Sequence, residues 1–207
     1  MDFNILIKNK LNIESILDVG SHAGTFTIEC KNYYPDAYYY MIEGNPISEA
    51  YISNLGIDYK IVYLSDIVKD TIVYKTKYNS FNTGDSLYRE NTDFYSDDLL
   101  ITEKIKTSTL YEIFKDEVTF DLIKIDSQGS EMDIIKGGLD MCKKAKIFYL
   151  EASVYPYNSG APMFDELKEF MSSIGYPYYK IVSDIYHPND NSLIIQHDVL
   201  FSKIILI

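Results

Sequence analysis

Tryptophan is absent from this 207-residue chain, and cysteine, histidine and basic residues are scarce. The two cysteines, Cys30 and Cys142, have neither CxxC spacing nor the density of a disulfide framework, so two free thiols in a reducing compartment are expected. The three histidines, His22, His187 and His197, make no metal-ligand pattern with them, and no resident metal is read from the spacing. No apolar run reaches the ~18 residues of a membrane span. Residues 1–10 lack the apolar core of a secretion signal. A soluble, cytoplasmic protein without a membrane partner is the expectation. Lys and Arg number 19 against 31 Asp and Glu, a net charge of -12. An acidic surface repels phosphate backbones, which argues against a nucleic-acid partner. The tightest basic cluster, Lys143, Lys144 and Lys146, suits the negative end of a helix dipole.

Twenty tyrosines stand against the missing tryptophan. A composition biased toward Tyr, Ile, Asn and Lys accounts for them. Tyrosines lining a sugar or aromatic pocket account for them too, since each offers an apolar face and a hydroxyl. The length fits one domain with a substantial core.

Apolar runs and helical stretches alternate along the chain, which predicts a doubly wound α/β sheet, mostly parallel, with helices on both faces. Strands are expected at 15–19, 38–43, 59–64, 120–125, 146–151, 178–184 and 199–207. Several are continuous apolar runs, as strands covered on both faces should be. Asn45 is positioned to cap a helix with Pro46 at its first turn, Ile47, Ala50, Tyr51 and Leu55 on its apolar face, and Gly56 at its end. A second helix begins near Pro162, carries the stripe Phe164, Leu167, Phe170, Met171 and Ile174, and stops at Gly175. Residues 65–119 are too long for a simple crossover. Strands at 71–78 and 100–106 with a polar loop at 79–98 predict a hairpin insertion within a single domain, the loop acting as a mobile lid.

Four patches carry chemistry. The first is Ile16-Leu17-Asp18-Val19-Gly20-Ser21-His22-Ala23-Gly24, an apolar strand entering a glycine turn and then a helix near Ala23. Such a turn lets backbone approach a ligand, and the helix-start amides suit an anionic group. The second is Glu43, 23 residues after Gly20 at the end of the next strand. This is close to the ~20-residue spacing of an acid that holds ribose hydroxyls. His22 stands where dinucleotide sites need a glycine for the pyrophosphate, which favours an adenosyl ligand with an amino-acid tail. The third is Lys124-Ile125-Asp126-Ser127-Gln128-Gly129-Ser130-Glu131. Lys124 and Asp126 share a strand face, either as a structural ion pair or as site residues at the carboxyl edge, with Ser130 and Asp133 in a helix-capping pattern. The fourth is Glu151, ending the neighbouring strand beside Asp126. The two acids are solvated strand ends, or they bind hydroxyls, share a proton or hold a divalent metal.

Together these motifs resemble the FkbM family of S-adenosylmethionine-dependent methyltransferases. The resemblance runs from about Ile16 to Tyr176 and also takes in Leu64-Ser65-Asp66, Ser86-Leu87 and the stretch from Asn158 to Phe164. It implies a Rossmann-like, seven-stranded, mostly parallel sheet with one reversed edge strand, supplied by 199–207. It implies methylation of a hydroxyl, on a sugar, glycan or natural-product acceptor. It places Gly20, Ser21, His22 and Gly24 on the methionine part of S-adenosylmethionine, Glu43 on the ribose, and Ser65 and Asp66 by the adenine. Asp18 and Asn45 belong to the same motifs and are placed with them. Asp126 or Glu151 would be the base, with Lys124 or a divalent metal holding the acceptor oxygen. Tyr111 and His22 depart from the family's usual residues. Two other functions fit the same residues: a metal-assisted small-molecule O-methyltransferase, and an inactive binding module using the tyrosine-rich edge. Homo-oligomerisation stays open.

Overall fold

The computed structural model describes residues 3–77, 84–115, 117–187 and 189–207, with only the backbone of residue 94. In chain order the elements are α1 (Phe3–Lys8), β1 (Ser15–Val19), α2 (Thr25–Lys31), β2 (Tyr38–Glu43), α3 (Glu49–Ile52) and β3 (Asp58–Ile61). Then come β4 (Asp70–Thr76), β5 (Leu100–Lys106), α4 (Leu110–Phe114), β6 (Leu122–Ile125), α5 (Glu131–Lys136) and α6 (Leu139–Cys142). Last are β7 (Ile147–Ser153), α7 (Phe164–Ser173), β8 (Tyr178–His187) and β9 (Asp190–Ser202).

Among the described residues, seven strands form one sheet in the order β3-β2-β1-β6-β7-β9-β8. The pairs from β3 to β7 are parallel, and β9 runs antiparallel to both of its neighbours. The reversed strand thus lies at the expected end of the sheet, one place in from the rim. The sheet order reverses direction between β1 and β6, the kind of switch point where ligands bind in open α/β sheets. Strands β1 and β6 are buried because they are covered on both faces. One face packs Leu17, Val19, Ile123 and Ile125 against Leu110 and Ile134. The other packs Ile16 and Leu122 against Phe3 and Cys30.

Several sequence-derived boundaries are corrected. The last strand is 190–202 rather than 199–207. Its whole length pairs with β8 in a long hairpin, its C-terminal half also pairs with β7, and the apolar tail after Ser202 leaves the sheet. There Ile207 exchanges backbone hydrogen bonds with the Asn9 side chain at 3.0 and 3.1 Å. Strand β3 stops at Ile61, because Val62, Tyr63 and Leu64 peel away toward the cleft. Asn45 does cap its helix, its Oδ1 accepting from the Ile47 amide at 3.0 Å. That helix is short, flanked by 3-10 turns, and buries Ile52 and Ser48 while Ile47 and Tyr51 face outward. Ser130 precedes α5 without capping it; the Glu131 carboxylate takes the loop amides instead. The α7 stripe is as read, with Phe164, Leu167 and Met171 buried.

The insertion is a two-stranded antiparallel ribbon, β4 with β5. Of the expected strand 71–78 and loop 79–98, residues 78–83 lie outside the described residues. The remainder, 84–98, crosses the carboxyl edge of the sheet and is fastened to it. Ser86 Oγ donates to the Gln128 carbonyl at 2.7 Å, the Tyr88 hydroxyl donates to Asp133 at 2.7 Å, and the Asn91 amide donates to the Tyr157 carbonyl at 2.7 Å.

Candidate active site

The turn after β1 is shaped by three left-handed residues: Gly20 (φ 71), His22 (φ 49) and Gly24 (φ 78). A side chain at Gly20 would put its Cβ 1.8 Å from the Asp126 carbonyl oxygen. The turn therefore lies directly against the loop after β6, and only glycine permits it. His22 holds a conformation that costs a non-glycine residue of order 1 kcal/mol. Its amide donates to Glu43 Oε2 at 2.7 Å. Helix α2 starts at Thr25, two residues later than expected, with Gly24 in the capping position.

Asp18 lies beneath this turn. Its side chain is fully buried, accepts from the Thr27 hydroxyl at 2.7 Å and pairs with Lys124 at 3.2 Å. It lines neither of the two cavities described below. Lys124 also donates to the Gly20 carbonyl at 2.7 Å and lies 3.5 Å from Asp126. Burial would lower its pKa, but Asp18 and then Asp126 hold it above the usual lysine value. The expected Lys124–Asp126 pair thus exists, with Asp18 as the closer and more buried partner.

A cleft of ≈ 260 Å³ opens at the switch point. Glu43 forms one side, its Oε1 accepting from the Asn45 amide at 2.8 Å. Asp85, from the insertion, lies on the same side, with the Tyr63 hydroxyl donating to it at 3.2 Å and Lys75 at 3.7 Å. Burial pushes the Asp85 carboxyl up to about 6, against the pull of Lys75 and Tyr63. Leu64, Leu87 and Ile134 give the cleft an apolar stretch. Ser130 belongs to the same wall, and its buried hydroxyl has no hydrogen-bond partner among the described residues. Ser65 and Asp66 do not line the cleft. The Ser65 hydroxyl donates to Asp66 at 2.9 Å, and Asp66 pairs with Lys69 at 3.0 Å.

A second cavity, ≈ 390 Å³, lies beyond the glycine turn on the β7–β9 side. Gly20, His22, Asp126 and Glu151 line both spaces. Glu151 Oε2 accepts from Gln128 and Gln196, each at 2.8 Å. Burial first, then the Asp126 charge, raises the Glu151 pKa well above the usual carboxylate value. Gln128 also donates to Asp126 at 3.3 Å, so one amide bridges the two acids. Glu131, pushed up to about 7 by burial, anchors the loop after β6 through Ser127 and Gly129 at 2.8 and 3.2 Å. Among the described residues no group of three or more His, Cys, Asp or Glu is placed to hold a metal ion.

Asp126, Glu151, Gly20, His22 and Glu43 therefore come together and Ser21 lines the second cavity, whereas Asn45 and Gly24 line neither: Asn45 holds Glu43 through its amide, and Gly24 lies against Leu55 and Met41. Sequence reading missed Asp85, Gln196 and Asp198. The first sits in a stretch read as lid, and the other two lie between the strands expected at 178–184 and 199–207; the apolar run Leu193-Ile194-Ile195 was the signal for a strand there.

This sheet order, with the reversed last strand inserted between β7 and β8 and an acid following the glycine turn, defines the class I methyltransferase fold. Within that class the chain belongs to the FkbM methyltransferase domain family, whose model matches residues 18–178. Among solved structures, a methyltransferase FkbM from Methylobacillus flagellatus KT is similar, with a TM-score of 0.58 and 16% identity. The similarity covers 91% of this chain and 43% of that one, so this chain spans less than half the length of that protein. A precorrin-6y C5,15-methyltransferase from Geobacter metallireducens GS-15 has a TM-score of 0.50 at 15% identity, covering 97% and 87% of the two chains. The N-terminal domain of EvdMO1, solved with S-adenosylhomocysteine (SAH) bound, has a TM-score of 0.52 at 9% identity, covering 97% and 77%. At these identities the likeness is one of fold. No curated protein is significantly similar to this chain.

Proposed function

We propose that this chain transfers the methyl group of S-adenosylmethionine to a hydroxyl, on a sugar or glycan acceptor. The observation that carries this reading is the sharing of Gly20, His22, Asp126 and Glu151 by two adjoining cavities. A methyl donor in one and an acceptor in the other would meet at those residues.

The first cleft suits an adenosyl group. Glu43 is placed for ribose hydroxyls, the apolar stretch for a flat base, and the unpartnered Ser130 hydroxyl for a polar atom on that base. The cofactor, when bound, supplies an electrophilic methyl group on a sulfonium. This chain's residues must then hold the acceptor oxygen in line and receive its proton. Asp126 is the base in this reading: it faces both spaces and its side chain is 42% exposed. The acceptor oxygen takes the methyl and Asp126 takes the hydroxyl proton. Glu151, its carboxyl raised by burial and by the Asp126 charge, lies beside the acceptor while Gln128 fixes its distance from Asp126. Lys124 is locked beneath the turn and positions it rather than touching the acceptor. Incubation with methyl-labelled S-adenosylmethionine and a panel of glycosides tests the reading. Label in a methyl ether is the expected result; SAH binding without label in any acceptor would leave a binding module instead.

A further inference from the structure

The second cavity carries information about its occupant that the cofactor cleft does not. Resting on the reading of this space as the acceptor site, we propose that the acceptor bears a protonated amine beside the hydroxyl that is methylated, and that Asp198 reads that amine. Asp198 lies on β9 directly opposite Glu151 on β7, and Ser183 on β8 completes the same cross-strand row. Acids facing each other across an antiparallel ladder disfavour each other's ionisation, so Asp198 adds to the burial that raises the Glu151 carboxyl, and a cation placed between them would be favoured. Compensation within the protein is incomplete. Ser183 donates to Asp198 at 2.5 Å and the Tyr149 hydroxyl donates to it as well, but among the described residues no cation pairs with Asp198. Asp126 and, at the rim, Glu29 add to the acidic wall. Lys124 is the cation among the described lining residues, and it is shared between Asp18 at 3.2 Å and Asp126 at 3.5 Å, leaving Asp198 and Glu29 without it.

The rest of the wall points to a ring-shaped ligand. Phe26 and Tyr149 stack at 5.7 Å with an interplanar angle of 11° and border the cavity together. Aromatic faces favour a cation or the apolar face of a sugar. Ser21 is buried in the same wall, its hydroxyl without a partner among the described residues. The cofactor's amino-acid tail, which the resemblance sets at Gly20, Ser21 and His22, would lie at the turn end of this cavity; Asp198, on β9, belongs neither to that turn nor to the first cleft. An amino sugar, or another cyclic amino alcohol, meets each of these features. A phosphate- or carboxylate-bearing sugar meets the acidic wall with the wrong sign.

The test is calorimetric binding to the SAH-loaded protein of methyl glucosaminide, its N-acetyl derivative, methyl glucoside, methyl glucuronide and 2-aminocyclohexanol. The expected result is binding of the amines at least about tenfold tighter than the neutral and anionic compounds, on the scale of one charge-assisted contact. Asp198→Asn should abolish that preference, while Asp165→Asn on the outer face of α7 should keep it and control for net charge. Thermal melts confirm folding of both variants. Equal binding of amine and neutral glycosides, or a preference that survives Asp198→Asn, overturns the inference and leaves the methyltransferase reading intact. Binding of aminocyclohexanol alone supports the inference and removes the sugar. Failure to bind SAH overturns the underlying reading and the inference with it.

Discussion

The Glu43 carboxylate accepts the amide protons of both His22 and Asn45, at 2.7 and 2.8 Å. One side chain thus joins the glycine turn after β1 to the chain leaving β2, at the first cleft. Its two oxygens are aimed by backbone, and in the proposed reading their remaining lone pairs accept from ribose hydroxyls. Glu43→Ala removes both the anchor and the ligand contact. Titration calorimetry with SAH should show affinity reduced by about tenfold or more, in line with loss of charge-assisted hydrogen bonds. Equal binding by the variant would remove Glu43 from the site.

Gly20→Ala is predicted to be more damaging than its size suggests. The added methyl would sit 1.8 Å from a backbone oxygen that cannot swing aside, in a left-handed conformation. A loss of roughly 1–3 kcal/mol or more in chemical denaturation, with loss of SAH binding, is expected. A stable variant with normal affinity would mean that the loop after β6 can retreat.

Asp18 and Asp126 should behave differently, although both lie near Lys124. Asp18 is fully buried, so Asp18→Ala leaves Lys124 poorly compensated and should cost about 3–5 kcal/mol of stability. Asp126 is partly exposed and Asp18 remains to pair the lysine, so Asp126→Asn should melt within a few degrees of the wild type.

Stability should fall as pH rises from about 5 to 8. Glu131, raised to about 7, binds its proton more tightly in the folded protein than in the unfolded chain, and Glu151 is shifted the same way. Their contribution is complete below the unfolded value near 4.5 and is lost as pH passes the folded value. For Glu131 this is on the order of 3 kcal/mol. Calorimetric melts across this range should show a flatter profile for Glu131→Gln. Parallel profiles would contradict the burial of this carboxyl.

The sheet and half of the site were legible for a physical reason. Strands β1, β6 and β7 are covered on both faces, so their apolar runs stand out, and Gly20, Glu43, Asp126 and Glu151 end such runs. Strands β8 and β9 form a hairpin with much of its surface in water, where polar residues interrupt the pattern. Asp198 and Gln196 were hidden there, and the apolar residues 203–207 read as strand although they leave the sheet. Asp85 reaches the cleft through the insertion, a long-range placement that no local period encodes. Asp18 sits in the most recognisable motif, yet its burial beneath the turn follows only from its contacts with Thr27 and Lys124.

The central claim, that donor and acceptor meet at Asp126 and that this carboxylate takes the proton, is tested most directly with Asp126→Asn. Methyl-transfer rates on an accepted glycoside should be measured beside SAH titrations and thermal melts of the same protein. The account predicts turnover lowered by roughly 100-fold or more, the usual scale of general base catalysis, with SAH affinity and melting temperature close to wild type. Normal turnover by the folded, cofactor-binding variant would contradict it.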